Sequence, residues 1–433
     1  MRRATLLFLL VVALGVVVSA GAQQATVVEV IAVQGAIDRP LLGYLEQKLE
    51  AAESEGAVVL LQLNTAGTLD ENGVALADRV ANLSVPTIAW IGPAPSRASG
   101  AGLLIMYASS IAAVYPGSQT GPLHPIDLAH PDERPADLSA TIEGWLDQHG
   151  RPAVELDRPD VPLTAQQAID GGVATIAATS VTDLLNKVDG ESVPTPEGST
   201  VLQTHVAVTE AEAEAGTVDL RFNNLGPVRR IEHGVSSPSM IYFLLVIGVA
   251  ALAFELTQPG FGFAGFSGVG LVALAVYGLS VVPADWLGLA LMLGGIALLV
   301  VDVRIRRLSA LTYAGVVAFG VGSVLAWRGV APAIRISPWL IGGAVVATFL
   351  YYGFALTVAL QSRDRIVNTQ RGLIGLVGEA RGPLTPDGPV FVKGALWRGR
   401  SAVGDIPAGS RVRVRGVDGL ILRVEPEPSA DDL

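Results

Sequence analysis

The chain has 433 residues, half of them hydrophobic and only 16% charged, with no cysteine and 29 Lys and Arg against 40 Asp and Glu. Soluble domains carry about a quarter charged residues, so this composition argues against a wholly soluble protein, and the missing cysteines exclude disulfides, zinc–thiolate centres and cysteine nucleophiles. The net charge of −11 argues against nucleic acid as a partner, because phosphate binding needs clustered Lys and Arg.

Residues 1–22 read as a secretory signal. Arg2 and Arg3 supply the charged start, Leu6 to Val18 the apolar run, and Ala20-Gly21-Ala22 a small-residue cleavage site. The alternative is an uncleaved anchor, for which the apolar run is short. Export places the next segment outside the cytoplasm.

Residues 26–190 alternate strand and helix patterns. Val27 to Val33 is a β-branched run, Leu41 to Ala52 has helical spacing, and Val58 to Leu63 is a fully apolar strand. A helix is expected over 72–81, a buried strand over 87–91, a small-residue helix over 100–109 and a strand over 111–115. Thr164 to Gly171 and Val173 to Ala177 close the series as helix and strand. This alternation predicts a layered α/β domain with mostly parallel strands, long enough for one full core. Residues 191–238 turn polar, with Pro, Gly and Glu-Ala repeats, and read as a loose connector containing a candidate strand at 217–222.

Hydropathy is nearly continuous over 239–361. It predicts about five spans of roughly 20 residues each, near 240–256, 263–282, 286–302, 309–327 and 338–360. Arg304, Arg306 and Arg307 follow the third span, and Arg363, Arg365 and Arg371 follow the fifth. With an exported N-terminal domain, five spans put both clusters in the cytoplasm, together with residues 366–427. A re-entrant first segment, suggested by the Gly and Pro residues between Glu255 and Gly265, would leave the C-terminal domain outside instead. Glu255 is either a functional intramembrane carboxylate or a cap on that turn. Short alternating strands between Gly, Pro and Asp turns predict a small all-β barrel of the OB type at the C-terminus.

Three regions, in order, resemble one family, the long-form NfeD proteins, described as membrane-bound serine proteases of the Clp class. Leu63-Asn64-Thr65-Ala66-Gly67 is similar to the family's Leu-Asp-Thr-Pro-Gly-Gly, and Arg97-Ala98-Ser99-Gly100-Ala101-Gly102 to its Arg-Ala-Ala-Ser-Ala-Gly. Phe254-Glu255-Leu256-Thr257-Gln258-Pro259-Gly260 resembles the family's stretch after the first span. Gly394-Ala395-Leu396-Trp397 and Val417-Asp418-Gly419-Leu420 resemble its OB-like end domain. The resemblance implies a Clp/crotonase-like fold for residues 26–190, no cofactor and no metal. It also implies membrane-protein partners of the stomatin or flotillin kind, and a homo-oligomer is an open expectation.

The resemblance also implies a nucleophile, a base and an oxyanion site. A serine protease needs a hydroxyl beside a base, with backbone N–H groups to hold the oxyanion. The family's nucleophile position falls on Gly100, which has no hydroxyl, and Ser99 stands one place earlier. One step along a helix turns a side chain by about 100°, so Ser99 does not inherit the geometry automatically. Its alternative role is a helix N-cap.

The family's base is a lysine, yet the chain's only lysines are Lys48, Lys187 and Lys393, and the matching segment offers Glu133 and Arg134. Arginine stays protonated and cannot serve as a base. The soluble Clp peptidase suggests a substitute set. His124 follows Ser99 by 25 positions, and Asp160 precedes the Clp-like Leu163-Thr164-Ala165. His124 would then be the general base and Asp160 its orienter; otherwise His124 is a loop residue packed beside Pro125. The oxyanion site would comprise Gly67, Thr68 and Gly100, with Thr68 standing where the family has a second glycine. The sequence therefore supports a catalytically degenerate relative acting as an interaction or assembly module. Its alternative is an active serine endopeptidase using Ser99, His124 and Asp160.

Overall fold

Aliphatic runs form the strands of the first domain, and each is followed by a helix with its own apolar stripe to bury. The computed structural model describes residues 26–69, 72–133, 137–154, 161–196, 198–206, 218–256, 262–305, 309–355, 358 and 372–427. The signal expected over 1–22, Asp160, Arg134 and the arginines at 306, 307, 363, 365 and 371 lie outside the described residues. The chain forms two units. The first holds the described residues up to Val249 with Ser267–Leu291 and Val321–Ile341; the second holds Ala250–Phe266, Met292–Gly320 and the chain from Gly342 onward.

The first unit begins with β1 (Val27–Gln34), α1 (Arg39–Glu55), β2 (Val58–Asn64), α2 (Gly73–Ala81) and β3 (Thr87–Ile91). Then come β4 (Arg97–Ala98), α3 (Ala101–Ala108), β5 (Ile111–Val114), β6 (Gln119–Thr120) and α4 (Ser139–Gln148). The series ends with β7 (Leu163–Thr164), α5 (Ala165–Asp170), β8 (Ile176–Ala177) and α6 (Val181–Val188). A hairpin of β9 (Ser192–Thr195) and β10 (Gly198–Val201) follows, then β11 (Asp219–Asn223).

The main sheet has the order β11-β1-β2-β3-β5-β8 and is parallel throughout. Parallel sheets need cover on both faces. Leu41, Leu45 and Leu49 of α1, Leu76 and Val80 of α2, and Leu104 of α3 pack on one face. Leu184, Leu185 and Val188 of α6 belong to the core on the other. Short strands β4, β6 and β7 make a separate sheet beside the strand ends. This is the Clp/crotonase-like α/β arrangement, and it places the β2–α2 and β4–α3 turns together.

The reading of 191–238 as a loose connector is corrected for its described residues, and the candidate strand at 217–222 is present as β11. Its strand pairs with β1 as an edge of the main sheet, with Val28 opposite Leu220. The physical reason is Glu29. It sits on β1 at 8% exposure, and a carboxylate that buried needs partners. Arg221 reaches one oxygen at 3.4 Å and the Asn223 amide donates to the other.

After α7 (Pro227–Val235) the chain enters five apolar helices: α8 (Pro238–Glu255), α9 (Phe263–Val281), α10 (Trp286–Ile305), α11 (Ala310–Leu325) and α12 (Pro338–Leu350). α8, α9 and residues Pro338–Ala355 are long and apolar enough to cross a membrane; the apolar parts of α10 and α11, Trp286–Asp302 and Ala310–Leu325, are shorter. In the second unit Gly295 lies against the backbone of Gly315 and Phe319, so close that a Cβ there would meet Phe319 N at 2.5 Å. Small residues permit such approach between membrane helices. The Glu255 carboxylate accepts the N–H groups of Gly262 and Gly265 at the start of α9, and residues 257–261 between them lie outside the described residues.

The second unit ends in β12 (Val377–Ala380), β13 (Asp387–Val392), β14 (Ala395–Ser401), β15 (Arg411–Asp418) and β16 (Ile421–Pro426). They close into a barrel of order β12-β13-β14-β16-β15, with β14 and β16 parallel. That is the OB arrangement expected from sequence. Alternation directs Val390, Val392, Val412, Val414, Leu422 and Val424 inward. The β13–β14 turn needs positive φ at two successive residues, Lys393 (48°) and Gly394 (82°).

Candidate active-site cleft

The cleft is built where β2 and β4 end. β2 runs into Thr65-Ala66-Gly67-Thr68, and β4 runs through Ser99 and Gly100 into α3. The strand ends are tied by the Thr65 N–H to the Arg97 carbonyl at 2.9 Å and the Ser99 N–H to the Thr65 carbonyl at 3.1 Å. Gly67 and Gly100 therefore share one cleft: a Cβ on Gly100 would lie 3.2 Å from the Gly67 Cα.

Gly100 adopts φ 55° and ψ −124°, a strained strand-to-helix turn that glycine enters freely. A sharp turn of this kind can present a nucleophile at a helix start. Here the space a side chain would need is filled, because a Cβ would meet the Pro125 carbonyl oxygen at 2.5 Å and the Ala66 carbonyl oxygen at 3.2 Å. Gly100, not Ser99, is the N-cap of α3, so the N-cap reading of Ser99 is corrected. The Ser99 hydroxyl turns back and donates to the Ala66 carbonyl at 3.1 Å, and the residue is 8% exposed.

The loop of residues 121–128 closes over these turns. The Gly100 N–H donates to the Pro122 carbonyl at 2.9 Å, and the Gly121 N–H to the Ala98 carbonyl at 2.7 Å. The Thr68 N–H donates to the Ile126 carbonyl at 2.9 Å, and the Leu128 N–H to the Thr68 carbonyl at 2.7 Å. The Gly67 N–H is held by the Thr65 hydroxyl at 3.2 Å. All three expected oxyanion donors, at Gly67, Thr68 and Gly100, are thus spent on the chain's own oxygens. A hole for an oxyanion requires donors aimed at the empty place where charge develops.

His124 sits half-buried on this loop, and its ring makes no hydrogen bond among the described residues. Ser99 and His124 are therefore not joined, and Asp160 lies outside the described residues. The sequence reading missed a pair at the end of this loop: His130 Nδ1, just beyond it, lies 2.8 Å from Asp127 Oδ2, and the other Asp127 oxygen takes the Ala129 N–H at 2.7 Å. His130 helps line a separate cavity of about 580 Å³, with Asp132, Glu133, Asp285, Trp286 and Arg328. No three His, Cys, Asp or Glu side chains among the described residues gather as a metal site.

The far end of α3 carries the least expected residue. Arg151 is 7% exposed. Its guanidinium donates to the carbonyls of Met106, Tyr107 and Ser109 around the helix C-terminus, and to Val173 at 2.7 Å. Burial lowers its pKa to about 10, so it remains a cation on the negative end of the helix. Nearby His149 is also buried, and desolvation depresses its pKa, keeping it neutral.

Comparison with known proteins agrees with this architecture. Residues 239–357 match the NfeD integral membrane domain, and residues 370–426 match the NfeD-like C-terminal, partner-binding domain. The chain is 25% identical over 424 residues to the membrane-bound protease PH1510 of Pyrococcus horikoshii, covering 93% of each. It is 23% identical over 422 residues to the membrane protein NfeD1b of Bacillus subtilis, covering 90% of each. Among solved structures it matches the 1510-N membrane protease specific for a stomatin homolog from Pyrococcus horikoshii, with 21% identity, a TM-score of 0.40, and 49% of this chain against 99% of that one. A Clp-like domain, an apolar helical block and a closed OB-type barrel define a class of membrane-anchored, protease-related proteins. Within that class the chain carries matches to both NfeD domains and is homologous to these two NfeD-type membrane proteins.

Proposed function

We propose that this NfeD protein is catalytically degenerate and works as a membrane-bound interaction or assembly module. The observation that carries the reading is Gly100. The position that holds the nucleophile in the family has no hydroxyl, and the Pro125 carbonyl occupies the room one would need. The spent N–H groups at Gly67, Thr68 and Gly100 support the same reading, as does the Ser99 hydroxyl bonded to Ala66 rather than to a base. The absent family lysine agrees.

The partners proposed are membrane proteins of the stomatin or flotillin kind. Support comes from a relative specific for a stomatin homolog and from the partner-binding description of the matched C-terminal domain. The protein is proposed to sit in the cell membrane, with its Clp-like domain outside and its barrel in the cytoplasm. Five crossings after an exported domain would give that arrangement, and the arginines at 304–307 and 363–371 fit the positive-inside rule.

The test of catalysis is labelling of the purified full-length protein with a fluorophosphonate probe. Background labelling, identical in wild type and Ser99→Ala, is expected. Labelling of the wild type that vanishes in Ser99→Ala would overturn the proposal in favour of a Ser99, His124 and Asp160 endopeptidase.

A further inference from the structure

We infer that His233 is a proton-operated latch fastening the juxtamembrane helix α7 to the Clp-like domain, closed while its ring carries two protons and released when it loses one. The ring lies in the last turn of α7. Nδ1 is 2.9 Å from Asp38 Oδ2, and Nε2 is 2.9 Å from the Gln34 carbonyl oxygen. A carboxylate and a carbonyl only accept hydrogen bonds, so each ring nitrogen must supply a proton. The ring facing them is an imidazolium. A neutral imidazole keeps one N–H, and its other nitrogen would turn a lone pair on an oxygen.

The partners are built to hold still. Asp38 is 1% exposed, and its second oxygen takes the Leu41 N–H at 3.0 Å, capping α1. Gly35, at φ +80°, lets the β1–α1 turn wrap the ring, since a Cβ there would lie 3.2 Å from Nε2. On its other side α7 meets the membrane block: a Cβ on Gly278 of α9 would lie 2.7 Å from the Val235 carbonyl. α8 begins at Pro238, immediately after α7. The latch therefore sits on the segment through which the domain and its first membrane helix are joined.

The charges around the ring come from three elements. The β1–α1 turn contributes Asp38 and Arg39, α7 contributes Glu232, and Tyr277 of α9 lies within electrostatic reach of all three. Arg229 of α7 bonds Gln47 of α1 at 3.0 Å, a tie that does not titrate near neutral pH. The Asp38 hydrogen bond, opposed by burial, raises the His233 pKa above its ordinary 6.5. A raised folded pKa gives stabilisation that is complete below 6.5 and lost as pH rises through the folded value. The latch is closed on the acid side and opens on the alkaline side.

Amide hydrogen exchange of the full-length protein in detergent micelles tests this, with protection factors for residues 227–235 followed from about pH 6 to 9. Wild-type protection should fall about tenfold for each pH unit by which the ring's pKa exceeds its ordinary value. His233→Gln should show low protection that does not vary with pH. Asp38→Asn, which keeps an oxygen for Leu41, should move the transition to lower pH. Wild-type protection that stays flat with pH, a wild type matching His233→Gln throughout, or an Asp38→Asn transition that does not move would each refute the latch. These readouts are independent of whether the cleft is catalytic.

Discussion

The two ends of α3 have met opposite fates. At the N-terminal end, where an enzyme of this fold would keep an exposed hydroxyl and free N–H groups, the chain has closed on itself through Pro122, Pro125 and Ile126. At the C-terminal end a buried arginine satisfies three carbonyls and complements the helix dipole. On the proposed reading one end is relieved of the demands of chemistry, while the other bears the demands of folding. Both ends satisfy backbone groups that burial would otherwise leave unpaired. An active cleft must leave some donors unpaired for substrate, and this one leaves none of its three expected ones.

Substitutions at each end should break this contrast if it is false. Removing the arginine should have the largest effect. Arg151→Met fills similar volume but strands four buried carbonyls, and should cost about 3–5 kcal/mol. Denaturant unfolding of the full-length protein in detergent would measure it; a cost near zero would mean the carbonyls find other donors. Placing a hydroxyl at Gly100 should cost less. Gly100→Ser places a Cβ against the Pro125 carbonyl at positive φ, and should destabilise by about 1–3 kcal/mol. It should not give fluorophosphonate labelling on the proposed reading, because the family lysine is missing and the N–H groups of Gly67, Thr68 and Gly100 are already bonded. Labelling of Gly100→Ser but not of wild type would show that the loop yields and that only the hydroxyl was missing.

The smallest effect is expected in the barrel, where charges are exposed. Asp387 accepts from Arg400 at 2.6 Å and from Arg398 at 3.0 Å, and these hydrogen bonds, the Arg400 one first, hold its pKa down to about 2. A depressed carboxylate pKa contributes stability above its unfolded value of 3.8, and that contribution is lost as pH falls toward 2. Exchange of residues 387–401 should quicken over that window in wild type, and Asp387→Asn should flatten the change. Solvent screening keeps such exposed pairs weak.

How much of this was legible beforehand depends on the range of the contact. Hydrophobic runs such as Val58 to Leu63 and the alternating Val412 and Val414 announce strands, since side-chain period follows local backbone geometry. α4 is legible too, from Ile142, Trp145 and Leu146 at helical spacing. The cleft was half legible. That Gly100 has no hydroxyl and that residues 132–149 hold no lysine are matters of residue identity, whereas the Pro125 carbonyl over Gly100 is a matter of how a loop folds back.

Local pattern was enough for the layered α/β domain, the apolar helical block and the small barrel, and residue identity alone shows that residues 132–149 hold no lysine. Each of these rests on composition or on periods of two and 3.6 residues, which neighbours along the chain enforce. Tertiary structure alone decided that Thr68 would spend its N–H on Ile126, that Arg151 would cap α3, and that Glu29 would draw Arg221 and Asn223 into the sheet. It also brought His233 to Asp38, 195 positions away. The physical reason is common to all four. A buried polar group must find a partner, and the partner is chosen by proximity in the folded chain, which local periodicity does not encode.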